Sequence, residues 1–259
     1  MAPRFELTSR DGKEITDVRS WGRHAKPASK TRWKKDRSAM ELARAWTGEH
    51  GPKALKILLD QVTGTMDFEA NKGVAQAQSR FDGFRGPRNH DLLLIGEAAG
   101  GKTAISIEGK VDETFGQTLG EYRNAARRKI GRNEATNALD RLQGLTQAIA
   151  GWEAGAAPRR LELRYQLFSG VAGAVAAAVE EEADQAVFCI HELNTKAINR
   201  KKREQNHKDL RDFLDVVFDE RPGSDESFIS GPLKLHGGSE RIPRGIALYV
   251  VLLSTPPAR

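Results

Sequence analysis

Apolar positions along the chain fall into two rhythms, short continuous runs and longer stretches spaced three or four residues apart. Residues 92–95 and 104–107 are short runs of branched side chains joined by a Gly-rich turn, and they predict the two strands of a hairpin. Residues 73–81 form a weaker run. The turn signals of 82–89 follow it, so three consecutive antiparallel strands are expected. Residues 185–193 are continuously apolar, as in a strand buried on both faces. Residues 228–235 and 246–253 read as two late strands that extend the same sheet.

Helical spacing accounts for most of the rest. Ser38 and Glu41 have capping-box spacing ahead of Leu42, Ala45 and Trp46, with Trp46 expected in the core. Pro52 suits the first turn of a second helix that continues through Leu59 to Val62. A helix follows 110–118, with Glu113 a candidate for its N-terminal cap, and 134–150 is amphipathic through Leu139, Leu142, Leu145 and Ile149. Residues 160–183 give the longest helical pattern, and 151–158 a loop ahead of it. A last amphipathic helix carries Leu210, Phe213, Leu214, Val217 and Phe218. Residues 1–36 are polar and irregular and read as a basic N-terminal arm, leaving 37–259 as one α/β domain. Trp21 and Trp33 in that arm are expected to dock on the body, and its cations, among them Arg4, Lys26, Lys30 and Arg32, are available to phosphate.

The hairpin places chemistry at one end of the sheet. Asp91 opens its first strand, while Glu108 and Lys110 close the second, two residues apart and so on one face. In an antiparallel pair the start of one strand lies beside the end of the other, which brings Asp91, Glu108 and Lys110 together. Two carboxylates this close repel unless a cation sits between them. A hard divalent ion removes the repulsion, and Mg²⁺ typically takes one or two carboxylates plus water and phosphate. An ammonium beside it suits orienting an attacking water on a phosphodiester. The plain alternative is a hairpin with a surface salt bridge between Glu108 and Lys110.

At these residues the chain resembles the PD-(D/E)xK nuclease superfamily, whose members place an Asp at the start of one core strand and [D/E]-x-K on the next. The motif stands here as His90-Asp91 followed by Glu108-Gly109-Lys110, with His90 where the family often has Pro. The resemblance implies a restriction-endonuclease-like mixed sheet with an α-βββ-α-β core flanked by helices. It also implies Mg²⁺ or Mn²⁺ held by Asp91 and Glu108, a catalytic Lys110, and phosphodiester hydrolysis, with DNA as the expected substrate and a bacterial defence or restriction-like setting. Many members add an upstream acidic residue, and Glu69 is the candidate; some exonuclease branches carry Gln-x-x-x-Tyr on the next helix. Gln117 and Tyr122 stand one residue further apart than that, so Gln117 is only an accessory candidate.

A second motif overlaps the turn. Residues 96–103, GEAAGGKT, fit the P-loop pattern, but a P-loop must open into a helix, and the β-branched sequence that follows is strand material. Nucleotide binding through Lys102 is therefore the weakest of three readings. Between it and the nuclease stands a non-catalytic nucleic-acid-binding protein of the same fold.

The net charge of +6 and isoelectric point near 9.5 suit a polyanionic partner. Candidate phosphate contacts are Arg85 and Arg88 in the turn region, Arg127 and Arg128 in the basic run 123–132, and Lys201, Lys202 and Arg203 in a second run that reads as a basic connection. His191 and Glu192 end a buried strand, and His191 reads as a satisfied core histidine. A single Cys rules out a disulfide framework and a thiolate metal cluster. No apolar run approaches the roughly 20 residues of a membrane span, and the N-terminus lacks a signal-peptide core, so a cytoplasmic protein is expected. Oligomeric state does not follow from the pattern.

Overall fold

In the computed structural model, residues 5–25, 33–152 and 157–258 are described. Arg4, Lys26, Lys30 and Arg32, and part of the loop expected at 151–158, lie outside them. The chain runs β1 (Glu6–Ser9), α1 (Val18–His24), α2 (Ser38–Trp46), α3 (His50–Leu59), β2 (Glu69–Ala75), β3 (Gln78–Ser79) and β4 (Arg88–Asn89). It continues through β5 (Leu92–Ala98), β6 (Gly101–Lys110), α4 (Leu119–Gly131), α5 (Ala138–Ala150), α6 (Pro158–Leu161) and α7 (Tyr165–Glu180). The last elements are β7 (Gln185–Leu193), α8 (Arg200–Phe218), β8 (Phe228–Leu233) and β9 (Ala247–Thr255).

Seven strands form one mixed sheet in the order β1-β2-β5-β6-β7-β9-β8. The expected meander is present: β2, β5 and β6 are antiparallel neighbours, and β7 then lies parallel to β6. Side chains alternate between two buried clusters. Ala104, Phe188, Ile190, Val250 and Leu252 face α5, α7 and α8, whereas Ile105, Ile107, Cys189, Val251 and Leu253 face α1, α2 and α3. The protein is thus an α/β fold with helices on both faces of the sheet. β7 is buried at every position, because both faces are covered.

Several boundaries differ from the pattern. The weak run 73–81 divides at Gln76, whose φ of +55° turns the chain out of the main sheet, and β3 pairs with β4 instead. The long helical pattern breaks at residues 162–164 into α6 and α7. The basic connection near 200 is already helical, as the first turns of α8. Ser38 and Glu41 form no capping box: the Glu41 carboxylate is buried, accepts from Asp36 N at 2.8 Å and pairs with Arg44 at 2.6 Å. Val62 lies past the end of α3.

The described part of the segment read as an irregular arm carries a strand and a helix. β1 joins the sheet parallel to β2, and Asp17 caps α1. Trp21 is buried and Trp33 packs against Gly22, so both tryptophans do dock on the body. The scatter of polar residues hid β1 because an edge strand of four residues has one inward face and little room for alternation.

Candidate functional site

The β5–β6 register decides the site. Leu92 pairs with Ile107, which places Asp91 across from Glu108, and Gly109 N donates to Asp91 Oδ2 at 2.9 Å. Asp91, Leu93 and Ile95 share the face that looks toward α7, as do Glu108 and Lys110. Asp91, Glu108 and Lys110 therefore meet, and all three line one cleft of 970 Å³.

Glu108 is held from three sides. Its Oε2 accepts from an Arg88 guanidinium nitrogen at 2.5 Å, and its Oε1 accepts from Gln166 Nε2 at 2.6 Å and Lys110 Nζ at 3.4 Å. Gln166 turns its other end to the lysine, accepting from Lys110 Nζ at 3.0 Å, while the ammonium also lies 5.2 Å from the centre of the Phe115 ring. Gln166 comes from the first turn of α7, 56 residues beyond the lysine it holds. Arg88 comes from β4, where its stem packs on Gly173 of α7; a side chain at Gly173 would collide with it at 2.5 Å. The Arg88 Nε is buried and has no hydrogen-bond partner.

This crowding separates the two carboxyls. Burial, and then the neighbouring Glu108 carboxylate, push Asp91 up to about 6. Burial also raises Glu108, but Arg88 and Lys110 outweigh it and hold that group below its ordinary value. Beneath them His90 bridges Ser106 and Ser79 at 2.6 and 2.8 Å, and burial followed by the charge of Arg88 lowers it to about 3. His90 is thus a neutral prop. It fixes the strand that presents Asp91.

The other sequence candidates divide clearly. Glu69 starts β2 opposite Glu97, at the far end of the strand from Ala75, which neighbours Leu92, so it stands about 20 Å along the sheet from the site. Gln117 is exposed in the loop before α4, away from the cleft, and the glutamine that does reach Lys110 is Gln166. Arg88 serves the site itself. Arg85, Arg127, Arg128, Lys201 and Lys202 are exposed, while Arg203 is committed inside the fold, donating to Glu192 Oε2 at 2.8 Å and pairing with Glu226 at 3.0 Å. His191 is a satisfied core histidine between Trp46 and Thr255. Asp112 pairs with Arg37 and Glu113 with Ser38; Thr118 and Glu121, rather than Glu113, cap α4.

The P-loop reading fails on structure. Lys102 lies in β6 and donates to the carbonyl of Glu181, and the turn opens into a strand. The cleft has a further wall that the sequence did not suggest: Arg10, Asp11, His24 and Ala25, from the segment after β1 and the end of α1, with Arg37 and Ser38 beside them. Among the described residues no group of three or more His, Cys, Asp or Glu side chains is placed to hold a metal ion. The donor set here is two carboxylates, within the usual Mg²⁺ complement. No helix among the described residues is long and apolar enough to cross a membrane.

No curated protein and no solved structure matches the chain. A family model does: residues 14–257 match the domain of unknown function DUF6946, and the chain belongs to that family.

Proposed function

We propose that this member of the DUF6946 family is a metal-dependent nuclease that hydrolyses phosphodiester bonds, with DNA as its expected substrate. The observation that carries the reading is the meeting of Asp91, Glu108 and Lys110 on one face at the end of β5 and β6, open to a 970 Å³ cleft. The succession of a helix, the β2-β5-β6 meander, α7 and a parallel β7 supports it as well.

The residues fit Mg²⁺ or Mn²⁺. Both oxygen donors are hard, and Asp91, raised first by burial and then by the Glu108 carboxylate opposite, is a carboxyl that a nearby cation would ionise. Arg88 and Lys110 already pair with Glu108. A divalent cation held by Asp91 and Glu108 would neutralise a phosphate and lower the pKa of a water. Lys110 then aims its ammonium at the water and the scissile phosphate, positioned by Gln166 and Glu108. In the hydrolysis the water oxygen would form the new bond to phosphorus and give up a proton to solvent, while the bond to the leaving oxygen breaks and that oxygen takes up a proton from solvent to leave as the alcohol.

A second reading, a nucleic-acid-binding protein without catalysis, is favoured by one observation: both oxygens of Glu108 already accept from Arg88, Gln166 and Lys110. Cleavage of plasmid, linear and single-stranded DNA with Mg²⁺ or Mn²⁺ separates the two, with folded Lys110→Ala as the comparison. Cleavage that needs the metal and disappears in the variant supports the nuclease. Equal activity in both proteins sinks the assigned site, and binding without cleavage by either favours the second reading.

A further inference from the structure

The cleft does not end at the carboxylates. Thr114 and Gly116 line both it and a second groove of 480 Å³, and Gln117 lines both that groove and a third of 440 Å³. The junction is open. Gly116 has φ +71°, and a Cβ added there would meet nothing within 4 Å. The second groove runs along Glu121, Asn124 and Arg128, the third along Tyr122, Ala125 and Lys129. Each set has the three-then-four spacing of one helical face, so the two grooves follow adjacent faces of α4 away from the site.

Arg127, Arg128 and Lys129 are exposed and consecutive, and none makes an ion pair among the described residues. Arg85 adds an exposed cation on the opposite wall of the third groove. The one carboxylate in these two grooves, Glu121, is spent on capping Thr118 N. The helix dipole favours cations in the last turn, which accounts for Arg128 and Lys129 there but not for the grooves that lead from them to the cleft. The basic start of α8 offers no such path: its Arg203 is internally paired.

We infer that the two adjacent faces of α4 carrying Arg128 and Lys129, with the exposed Arg127 next to them in the chain, are the track for a nucleic-acid phosphate backbone entering the cleft over Gly116. This rests on the nuclease reading and gives that site its route for substrate. From Leu119 to Arg128 the helix rises about 14 Å, the span of about four phosphates of one strand.

The test is fluorescence anisotropy with a short labelled duplex, and with its single strand, in EDTA across a salt series. The variant Arg127→Glu/Arg128→Glu/Lys129→Glu is compared with Lys53→Glu/Lys56→Glu/Lys234→Glu, which reverses the same number of charges on α3 and beyond β8. Thermal melting checks both folds, and Arg128→Gln/Lys129→Gln repeats the test with a milder change. The α4 variant is expected to bind at least about tenfold more weakly, with the slope of log affinity against log salt reduced by roughly 2–3. The control variant keeps the wild-type slope. Equal losses in the two variants, or an unchanged slope in the α4 variant while wild type binds and cleaves, overturns the track and leaves the catalytic site standing. Failure of wild type to bind either nucleic acid, with or without Mn²⁺, overturns both. The stronger-bound probe identifies whether the track takes a duplex or a single strand.

Discussion

Two buried carboxylates end neighbouring strands of this sheet. Glu108 lies two residues before Lys110 on β6, and Lys110 is the register partner of Glu192 on β7. Each carboxylate accepts from an arginine, Arg88 at 2.5 Å in one case and Arg203 at 2.8 Å in the other. There the likeness ends. α8 closes over Glu192, which also accepts from His207 at 2.8 Å, while Nη2 of Arg203 reaches Ser254 and Glu226. Glu108 opens on a cleft, sits across from a second carboxyl pushed up to about 6, and is paired to an arginine whose Nε is buried without a partner. Burial and pairing alone describe a structural ion pair. A buried carboxyl raised beside an open cleft is what sets the surroundings of Glu108 apart from those of Glu192.

The largest contrast comes from removing a charge at each place. Lys110→Ala is expected to cut metal-dependent cleavage by about 10²–10³-fold, with a stability loss smaller than at Glu192 because Arg88 and Gln166 still donate to Glu108. Glu192→Ala should do the reverse, costing about 3–5 kcal/mol in denaturant unfolding by stranding Arg203 and His207, while Mn²⁺ affinity measured by calorimetry stays unchanged. A drop in Mn²⁺ affinity with Glu192→Ala would merge the two regions into one site.

Titration sharpens the difference next. Between the ordinary carboxyl value of 3.8 and about 6, the unfolded chain ionises Asp91 while the folded one keeps its proton. The metal-free protein therefore loses up to about 3 kcal/mol from this group as pH rises across that window, and the full cost stands above it. Glu108 acts in the opposite sense, its lowered value giving stability above pH 4.5 that is lost as pH falls. Melting with and without Mn²⁺ should show a stabilising shift that grows as pH rises through about 6. Asp91→Asn should stabilise the metal-free protein at neutral pH by about 1–3 kcal/mol and abolish that shift. A metal shift independent of pH would remove Asp91 from the ligand set.

The smallest effect belongs to the closed region. Trp46→Phe deletes the donor to His191 Nδ1, at 3.0 Å, and leaves that buried nitrogen unpaired. About 1 kcal/mol of stability should go, with cleavage unaltered.

Asp91, Glu108 and Lys110 were legible because a hairpin is local: turn length and strand alternation fix which residues oppose each other. The strand at 185–193 was legible from its unbroken apolar run. Arg88 and Gln166 were not, since Arg88 depends on a two-residue strand and Gln166 on the docking of α7 more than fifty residues away in sequence. Proximity in sequence pointed to Gln117 where proximity in space selects Gln166. Glu41 carried a local capping signal that a buried ion pair overrode, and the same long-range logic drew β1 into the sheet.

The two margins of the sheet also bear on how the protein survives at high concentration. Open strand margins invite neighbouring molecules to add on, strand after strand, toward insoluble fibres. Here one margin is β1, only four residues long, and the other is β8, where Pro232 removes an amide and the register with β9 shifts between Ser230 and Leu233. A chain shortened past Ser9 would uncover Lys72, Gly73, Val74 and Ala75 of β2 as a fresh template. The first strand thus serves as a guard against polymerisation as well as leading into a wall of the cleft.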